Sequence, residues 1–71
     1  MRTVKEAEER KNEILDVSER LFVTKGFDNT STSDILNEVG IARGTLYYHF
    51  KSKEDILDAM IDRMTGRLVE K

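Results

Sequence analysis

The chain has 71 residues, 37% of them charged and 38% hydrophobic, with a formal net charge of −2, so it should form one small domain with a thin core. Because it contains no cysteine and a single histidine, disulfides and zinc sites are excluded, and no metal or other cofactor is expected. No apolar run approaches the roughly 20 residues that cross a bilayer, so we expect a soluble protein outside the membrane.

The first predicted helix extends from about Arg10 to Lys25. Its apolar residues recur at three- and four-residue steps, the spacing of an amphipathic helix; they are Ile14, Val17, Leu21 and Phe22. Gly26 follows as the expected C-cap. Residues 1–9 are highly charged and are predicted as an N-terminal extension, either a frayed arm or the solvated beginning of the same helix.

The second predicted helix spans about Thr32 to Val39. Ser31 and Asp34 have the spacing of a capping box, in which each side chain accepts a hydrogen bond from the other residue's backbone amide. The apolar stripe of this helix consists of Ile35, Leu36 and Val39. Gly40 should end it, because glycine tolerates the positive φ that a helix C-terminus requires.

The third predicted helix starts near Ala42 or Arg43, only a short turn after the second. Leu46 and Phe50 are four residues apart and form its inward-facing pair. Two short helices joined by so tight a glycine-containing turn indicate a helix-turn-helix.

A fourth helix is predicted from the second capping-box spacing, that of Ser52 and Asp55. Its apolar stripe is long and comprises Ile56, Leu57, Met60, Ile61, Met64 and Leu68. The predicted fold class is therefore all-α: a three-helix, homeodomain-like helix-turn-helix bundle over residues 10–53, followed by a connecting helix over residues 54–71.

The region around the third helix has an unusual charge pattern. From Val39 to Lys53 there is no acidic residue, whereas cations and hydrogen-bonding rings are frequent: Arg43, Tyr47, Tyr48, His49, Lys51 and Lys53. Lysine and arginine neutralise phosphates, and tyrosine, serine and threonine donate hydrogen bonds to them. DNA binding is the function that this pattern favours, although the whole chain is slightly acidic. The acids cluster at Glu6–Glu19 and Glu54–Asp62, and salt screens them over about 8 Å.

The same residues carry a family resemblance. The runs are Lys25-Gly26-Phe27, Thr30-Ser31, Asp34-Ile35, Gly40-Ile41 and the segment GTLYYHFKSKE from Gly44 to Glu54. Over roughly Glu13 to Met60 the chain resembles the N-terminal DNA-binding domain of tetracycline-repressor (TetR) family regulators.

The resemblance implies a bacterial, cytoplasmic and nucleoid-associated regulator, most often a repressor. It would bind double-stranded DNA at a palindromic operator as a homodimer and release it on binding a small-molecule effector. The effector and the dimer interface would belong to a C-terminal domain that the connecting helix leads to and that is absent here. We therefore expect these 71 residues to be monomeric by themselves.

The candidate DNA-binding residues come from the second helix, the third helix and the start of the fourth. They are Thr32, Ser33, Ala42, Arg43, Gly44, Thr45, Tyr47, Tyr48, His49 and Lys53. By resemblance, Thr32 and Ser33 face the DNA and Lys53 contacts a phosphate. The resemblance also allows residues 1–9 to be a DNA-contacting arm rather than a solvated extension of the helix.

Several of these positions have a second interpretation. Arg43 lies where recognition helices contact base edges and can pair with a guanine, or it is a solvated surface residue. Gly44 permits close approach of a backbone, or it serves turn geometry. Tyr47 contacts DNA, or it is a core aromatic with its hydroxyl at the surface. Ala42 stands where the family frequently has serine, so one hydroxyl contact to DNA is missing.

Other functions find less support in the sequence. An enzyme is not expected, because the chain has no cysteine nucleophile, a single histidine and no glycine-rich phosphate loop. The remaining alternative is a protein-interaction module that docks a partner helix through the apolar stripe of the last helix. Such a module has no need for the acid-free segment between Val39 and Lys53.

Overall fold

The structure, a computed structural model, describes residues 2–66, with side chains from residue 6 onward. This part of the chain contains four α-helices and no strand: α1 (Arg2–Lys25), α2 (Thr32–Val39), α3 (Arg43–His49) and α4 (Lys53–Thr65). Helix α1 packs against α2 and α4, and α2 packs against α3. The predicted all-α helix-turn-helix fold is confirmed. No helix among the described residues has the length and apolarity needed to cross a bilayer.

Helix α1 begins earlier than the sequence pattern predicts. It starts at Arg2 rather than near Arg10 and runs without interruption to Lys25. The added turns contain mainly Glu, Lys, Arg and Ala, which have high helix propensity even when no apolar face is present. Of the two alternatives given for residues 1–9, the solvated beginning of the same helix is therefore the one observed from Arg2 onward, although the apolar periodicity by itself starts only near Arg10.

A buried threonine closes the end of α1. Thr30 is almost completely buried, and its hydroxyl donates to the carbonyl oxygen of Gly26 at 2.8 Å, with the Leu21 carbonyl at 3.4 Å. The amide of Gly26 in turn donates to the Phe22 carbonyl at 3.0 Å. These contacts supply a donor to the carbonyl of Gly26, the residue that follows the helix, and a second, longer contact to the carbonyl of Leu21. They also fix the loop from which α2 begins.

Helix α2 has the predicted caps at both ends. The Ser31 hydroxyl accepts from the amide of Asp34 at 3.0 Å, and the Asp34 carboxylate accepts from the amide of Ser31 at 3.0 Å. At the other end Gly40 has a φ of 86°, and its amide donates to the Leu36 carbonyl at 2.8 Å. Both predictions are confirmed.

Helix α4 has only half of its predicted capping box. The Ser52 hydroxyl accepts from the amide of Asp55 at 3.2 Å, but the Asp55 carboxylate accepts from the amide of Lys51 instead of that of Ser52. The helix then ends at Gly66, which has a φ of 74°. The last residue of the predicted stripe, Leu68, lies outside the described residues.

All four helices contribute to the core. Its buried hydrophobic residues are Ile14, Leu15, Ile35, Leu46, Phe50, Ile56 and Met60. On α1 the buried arc is centred on Ser18, next to Leu15, and the predicted core residue Val17 is only half-buried. The arc is rotated from the prediction because α2 and α4 both pack against α1.

An arginine fork joins the far end of α4 to α1. The guanidinium of Arg63 lies 3.0 Å from the Asp16 carboxylate and 3.5 Å from the Glu19 carboxylate. Beyond the last buried residue of α4, Met60, the apolar side chain of Met64 is 67% exposed. Charge pairing therefore holds this end of the helix in place of apolar packing.

Candidate nucleic-acid interface

Helix α3 has one buried side and one exposed side. Leu46 and the C-cap residue Phe50 lie in the core, as predicted. Tyr48 points away from them and is 76% exposed, while Tyr47 is 42% exposed. Tyr47 is thus not a core aromatic. Both hydroxyl-bearing rings are available at the surface.

Two predicted site residues meet across the turn between α2 and α3. The guanidinium of Arg43 donates to the Ser33 hydroxyl at 2.9 Å. Arg43 is the first residue of α3, and its side chain is exposed. A serine hydroxyl that accepts one hydrogen bond can still donate its own proton. The arginine is therefore held at the exposed edge of the motif rather than freely solvated.

The N-terminus of α3 is open. Its N-cap residue is Ala42, which has no side-chain oxygen to accept from the first-turn amides. Gly44 lies one residue inside the helix, is exposed and does not have a positive φ. A Cβ built on Gly44 would meet no atom within 4 Å. Turn geometry therefore does not require this glycine, and the space in front of the first turn is free.

The two remaining candidates on α3, Thr45 and His49, are half-buried. The His49 ring stands edge-to-face against Tyr48 with 5.0 Å between ring centroids. Burial lowers the pKa of His49, and the positive charges of Lys11 and Arg10 on α1 lower it further. The imidazole is consequently neutral near pH 7, and the negative charge of a phosphate beside it would raise the pKa of His49 again.

Three further candidates line one open cleft of about 430 Å³. The cleft lies between the α1–α2 loop, the N-terminus of α2, the side of α3 and the N-terminus of α4. Its lining consists of Asp28, Asn29, Thr30, Ser31, Thr32, Tyr47, Lys51, Ser52, Lys53 and Glu54. Thr32, Tyr47 and Lys53 thus come together although they are far apart in sequence. Amides at helix N-termini, hydroxyls and an ammonium group are all suited to an anion.

Lys53 has a partner that the sequence pattern did not reveal. Its ammonium nitrogen donates to the carbonyl oxygen of Phe27 at 2.7 Å and lies 4.3 Å from the centroid of the Phe27 ring. The ring in turn stands edge-to-face against Phe22, with centroids 5.0 Å apart. No local spacing could show the contact, because it joins residues 26 positions apart.

The two carboxylates of α2 are compensated by cations of α1. Asp34 accepts from the Lys25 ammonium at 2.9 Å, and Glu38 accepts from the Arg20 guanidinium at 3.0 Å. The Lys25 hydrogen bond, followed by that of the Ser31 amide, lowers the pKa of Asp34. The segment from Val39 to Lys53 has no acids, and the two acids of the preceding helix α2 are paired with cations of α1. The surface without unpaired carboxylates therefore extends from this segment through α2.

The arrangement as a whole is suited to binding a polyanion. It offers guanidinium, ammonium, hydroxyl and free amide groups around α3. All of these groups donate hydrogen bonds, which phosphate oxygens and the acceptor atoms of base edges can accept. Within residues 6–66, no three histidine or carboxylate side chains are placed to hold a metal ion. The surface can therefore recognise nucleic acid through hydrogen bonds and charge.

Comparison with known proteins identifies the fold. The family model described as "Bacterial regulatory proteins, tetR family" matches residues 14–60. The HTH-type transcriptional regulator AcrR of Shigella flexneri is 44% identical over 78% of this chain and 26% of its own length. The HTH-type transcriptional regulator TtgR of Pseudomonas putida is 35% identical over 89% of this chain and 30% of its own length.

A third relative is the uncharacterized HTH-type transcriptional regulator YerO of Bacillus subtilis, which is 41% identical over 89% of this chain. The chain spans 22% of the length of YerO and less than a third of the other two. The matched region contains α2, α3 and the cleft, so sequence and geometry point to the same surface. The chain belongs to the tetR family of bacterial regulatory proteins, and it is the DNA-binding domain of a transcriptional regulator of that family.

Proposed function

We propose that the domain binds a palindromic operator as half of a homodimer, with α3 in the major groove. The observation that carries this proposal is the two-sided character of α3: Leu46 and Phe50 anchor it, while Arg43, Gly44 and Tyr48 are exposed. The neighbouring carboxylates of α2 are already paired. A duplex can therefore approach without meeting an unpaired acid of α2 or α3.

Within this proposal, Arg43 reads a base. It sits at the N-terminus of α3, where recognition helices contact base edges. An arginine fork on a guanine edge contributes about 1–3 kcal/mol of discrimination against other bases. Ser33 orients the guanidinium before DNA arrives, since it already accepts a hydrogen bond from it.

The phosphate backbone would be held on both sides of α3. Thr32, Tyr47 and Lys53 lie in the cleft, and His49 lies where it feels the charges of Lys11 and Arg10 on α1. Contacts of this kind fix the register of a protein on the duplex and carry no sequence information themselves. Tyr48 and Thr45 complete the proposed surface.

The remaining parts of the proposal concern the longer protein. Ile61 and Met64 are exposed on α4, which supports a role for this end of the helix in contacting a further domain. That domain would hold the dimer interface and the small-molecule effector, and DNA release would relieve repression. The site of action would be the bacterial cytoplasm.

The reading role of Arg43 is tested by two variants. The preferred sequence is obtained by selecting duplexes from a random library with the chain. Arg43→Ala should cost about 1–3 kcal/mol on the selected site and relax its preference at one position. Arg43→Lys keeps the charge but loses the two-pronged fork, so it should lose the same preference while binding random DNA as before. Equal weakening on selected and random DNA would make Arg43 a phosphate contact.

The open space at Gly44 supplies an independent test. Gly44→Ala should stabilise the free domain by about 0.5–1 kcal/mol, because alanine is the better helix former and its methyl group meets nothing. DNA binding should nevertheless weaken, since the methyl group occupies the space that a duplex would enter. Thermal melts and fluorescence anisotropy on one preparation measure both effects. A variant that gains both stability and affinity would place the DNA elsewhere.

A further inference from the structure

The lysine at the start of α4 is held by an aromatic ring in another part of the fold. Lys53 is the first residue of α4, and Phe27 lies in the α1–α2 loop. The ammonium group has two contacts with this single residue, the ring face at 4.3 Å and the carbonyl oxygen at 2.7 Å. Phe22 on α1 stands edge-to-face with the same ring and has no contact of its own with the ammonium in the hydrogen bonds and cation–π contacts of the described residues.

These contacts leave the ammonium able to bind something else. An ammonium group has three N–H donors, and the Phe27 carbonyl takes one of them. The side chain also lines the cleft that contains Thr32 and Tyr47. An unrestrained lysine is a point charge on a flexible four-carbon stem, and this one is instead confined to one place.

We propose that Phe27 is a positioning residue for DNA binding, whose ring and carbonyl oxygen hold the Lys53 ammonium at the cleft. A backbone phosphate then meets a charge that is already in place. This proposal rests on the proposed function, because it concerns the same cleft. It adds a residue that itself contacts no DNA.

The size of the effect is bounded by the interaction that causes it. A ring can bias the position of an ammonium only by as much as it binds that ammonium. Exposed cation–π contacts correspond to about a two- to fivefold change in an equilibrium. Loss of the ring should therefore weaken DNA binding by about two- to fivefold, with the Phe27 carbonyl retained.

The test is a double-variant cycle on the 71-residue chain, read by fluorescence anisotropy with a labelled duplex of mixed sequence over a salt series. A mixed duplex suffices because phosphate contacts are independent of sequence. The variants are Phe27→Leu, Lys53→Met and the two together. Phe22→Leu is the matched control, since it removes the other ring of the pair and leaves the ring under Lys53. Phe27→Tyr restores a ring.

The proposal expects four results. Lys53→Met lowers the slope of log affinity against log salt by roughly one. Phe27→Leu weakens binding about two- to fivefold, and Phe27→Tyr recovers it. Phe22→Leu leaves affinity unchanged among folded molecules. In the Lys53→Met background, Phe27→Leu has no further effect.

Other outcomes overturn the proposal and separate it from the proposed function. If Lys53→Met lowers the salt slope but Phe27→Leu weakens binding equally in both backgrounds, the lysine contacts phosphate without help from the ring. If Phe27→Leu tightens binding, the ring withholds the ammonium from DNA. If the unaltered chain shows no salt-dependent binding, the proposed function itself fails. Should Phe27→Leu not fold, proton NMR of the unaltered chain decides: Lys53 ε-methylene protons without an upfield ring-current shift refute the positioning.

Discussion

Two hydroxyl groups are buried in this small core, and only one of them has a hydrogen-bond partner. The Thr30 hydroxyl donates to a backbone carbonyl at the C-terminal end of α1, whereas the Ser18 hydroxyl is fully buried and has no hydrogen-bond partner among the described residues. A buried hydroxyl without a partner costs about 1–3 kcal/mol. The two side chains therefore allow opposite predictions from the same kind of truncation.

Ser18→Ala should raise the free energy of unfolding by about 1 kcal/mol or more, because it removes only the unpaired oxygen. Thr30→Ala should lower it by about 1–3 kcal/mol, because the Gly26 carbonyl at the end of α1 loses its hydroxyl donor. Urea denaturation of both variants measures the difference. A loss of stability in Ser18→Ala would mean that its hydroxyl has a partner in solution.

His49 should give stability and DNA affinity opposite dependences on pH. Burial and the nearby cations hold the pKa of His49 below its ordinary value, so the unfolded chain takes up a proton more readily than the folded one. Stability is then greatest above about pH 6.5 and falls as the pH drops towards the folded pKa. A phosphate favours the charged ring, so DNA affinity should rise a few-fold over the same interval.

The measurement compares the unaltered chain with His49→Gln between about pH 8 and about pH 6, a range in which few other side chains titrate. The glutamine variant should lose both trends. If its DNA affinity keeps the dependence of the unaltered chain, then His49 contacts no phosphate. Thermal melts without DNA report on the folding trend separately.

At the scale of helices, the sequence was most informative where the interaction is local. Ser31 and Asp34 form their predicted box, and Gly40 ends α2 as predicted, because each signal acts within four residues. Asp55 shows the limit of this reasoning. Its spacing to Ser52 was right, yet its carboxylate accepts from the amide of Lys51 rather than from that of Ser52.

Contacts between helices were beyond the reach of such patterns. The pairing of Asp34 with Lys25 depends on how α1 crosses α2. The contact of the Lys53 ammonium with the Phe27 ring depends on the path of the loop between α1 and α2. Burial within one helix was easier to predict: Leu46 and Phe50, four residues apart, are the inward-facing pair that the spacing indicated. The roles of the individual site residues in DNA binding stay predictions.

The open N-terminus of α3 can be capped by one substitution. Ala42→Ser supplies the oxygen that the first-turn amides lack and should stabilise the domain by about 0.5–2 kcal/mol. By resemblance to other members of the family, it should also add a hydroxyl contact and tighten DNA binding. Ser52→Ala is the matched control, because it removes the capping oxygen of α4. It should lower the free energy of unfolding by a similar amount. An unchanged melting temperature in Ala42→Ser would indicate that the amides are already satisfied by water at no cost.

For the molecule as a whole, the chain should be a monomer that binds DNA weakly. Two reading helices of a dimer must be held about 34–36 Å apart, and α4 offers only Ile61 and Met64 as exposed apolar residues near its end. Joining two binding units raises overall affinity by about 10²–10⁴-fold. Joining two copies of the chain through a dimerising domain should therefore tighten operator binding by about that factor.

Sedimentation equilibrium and anisotropy on the 71-residue chain check this expectation. A single species of 8.2 kDa with micromolar or weaker, salt-sensitive affinity agrees with it. A stable dimer with tight operator binding would refute it, and Ile61 and Met64 would then be the first positions to alter.

The pairing of both α2 carboxylates with α1 cations also has a kinetic consequence. Most other carboxylates lie on α1 and α4, so we expect the surface around α3 to be the more positive side of the molecule despite its small net charge. In the field of a duplex such a molecule rotates before contact, and collisions through α3 become more frequent than chance orientation allows. Added salt should then slow association as well as weaken the final complex. Reversing the charge at Lys25 or Arg20 should lower the rate of association with DNA. Neither side chain is proposed to touch DNA.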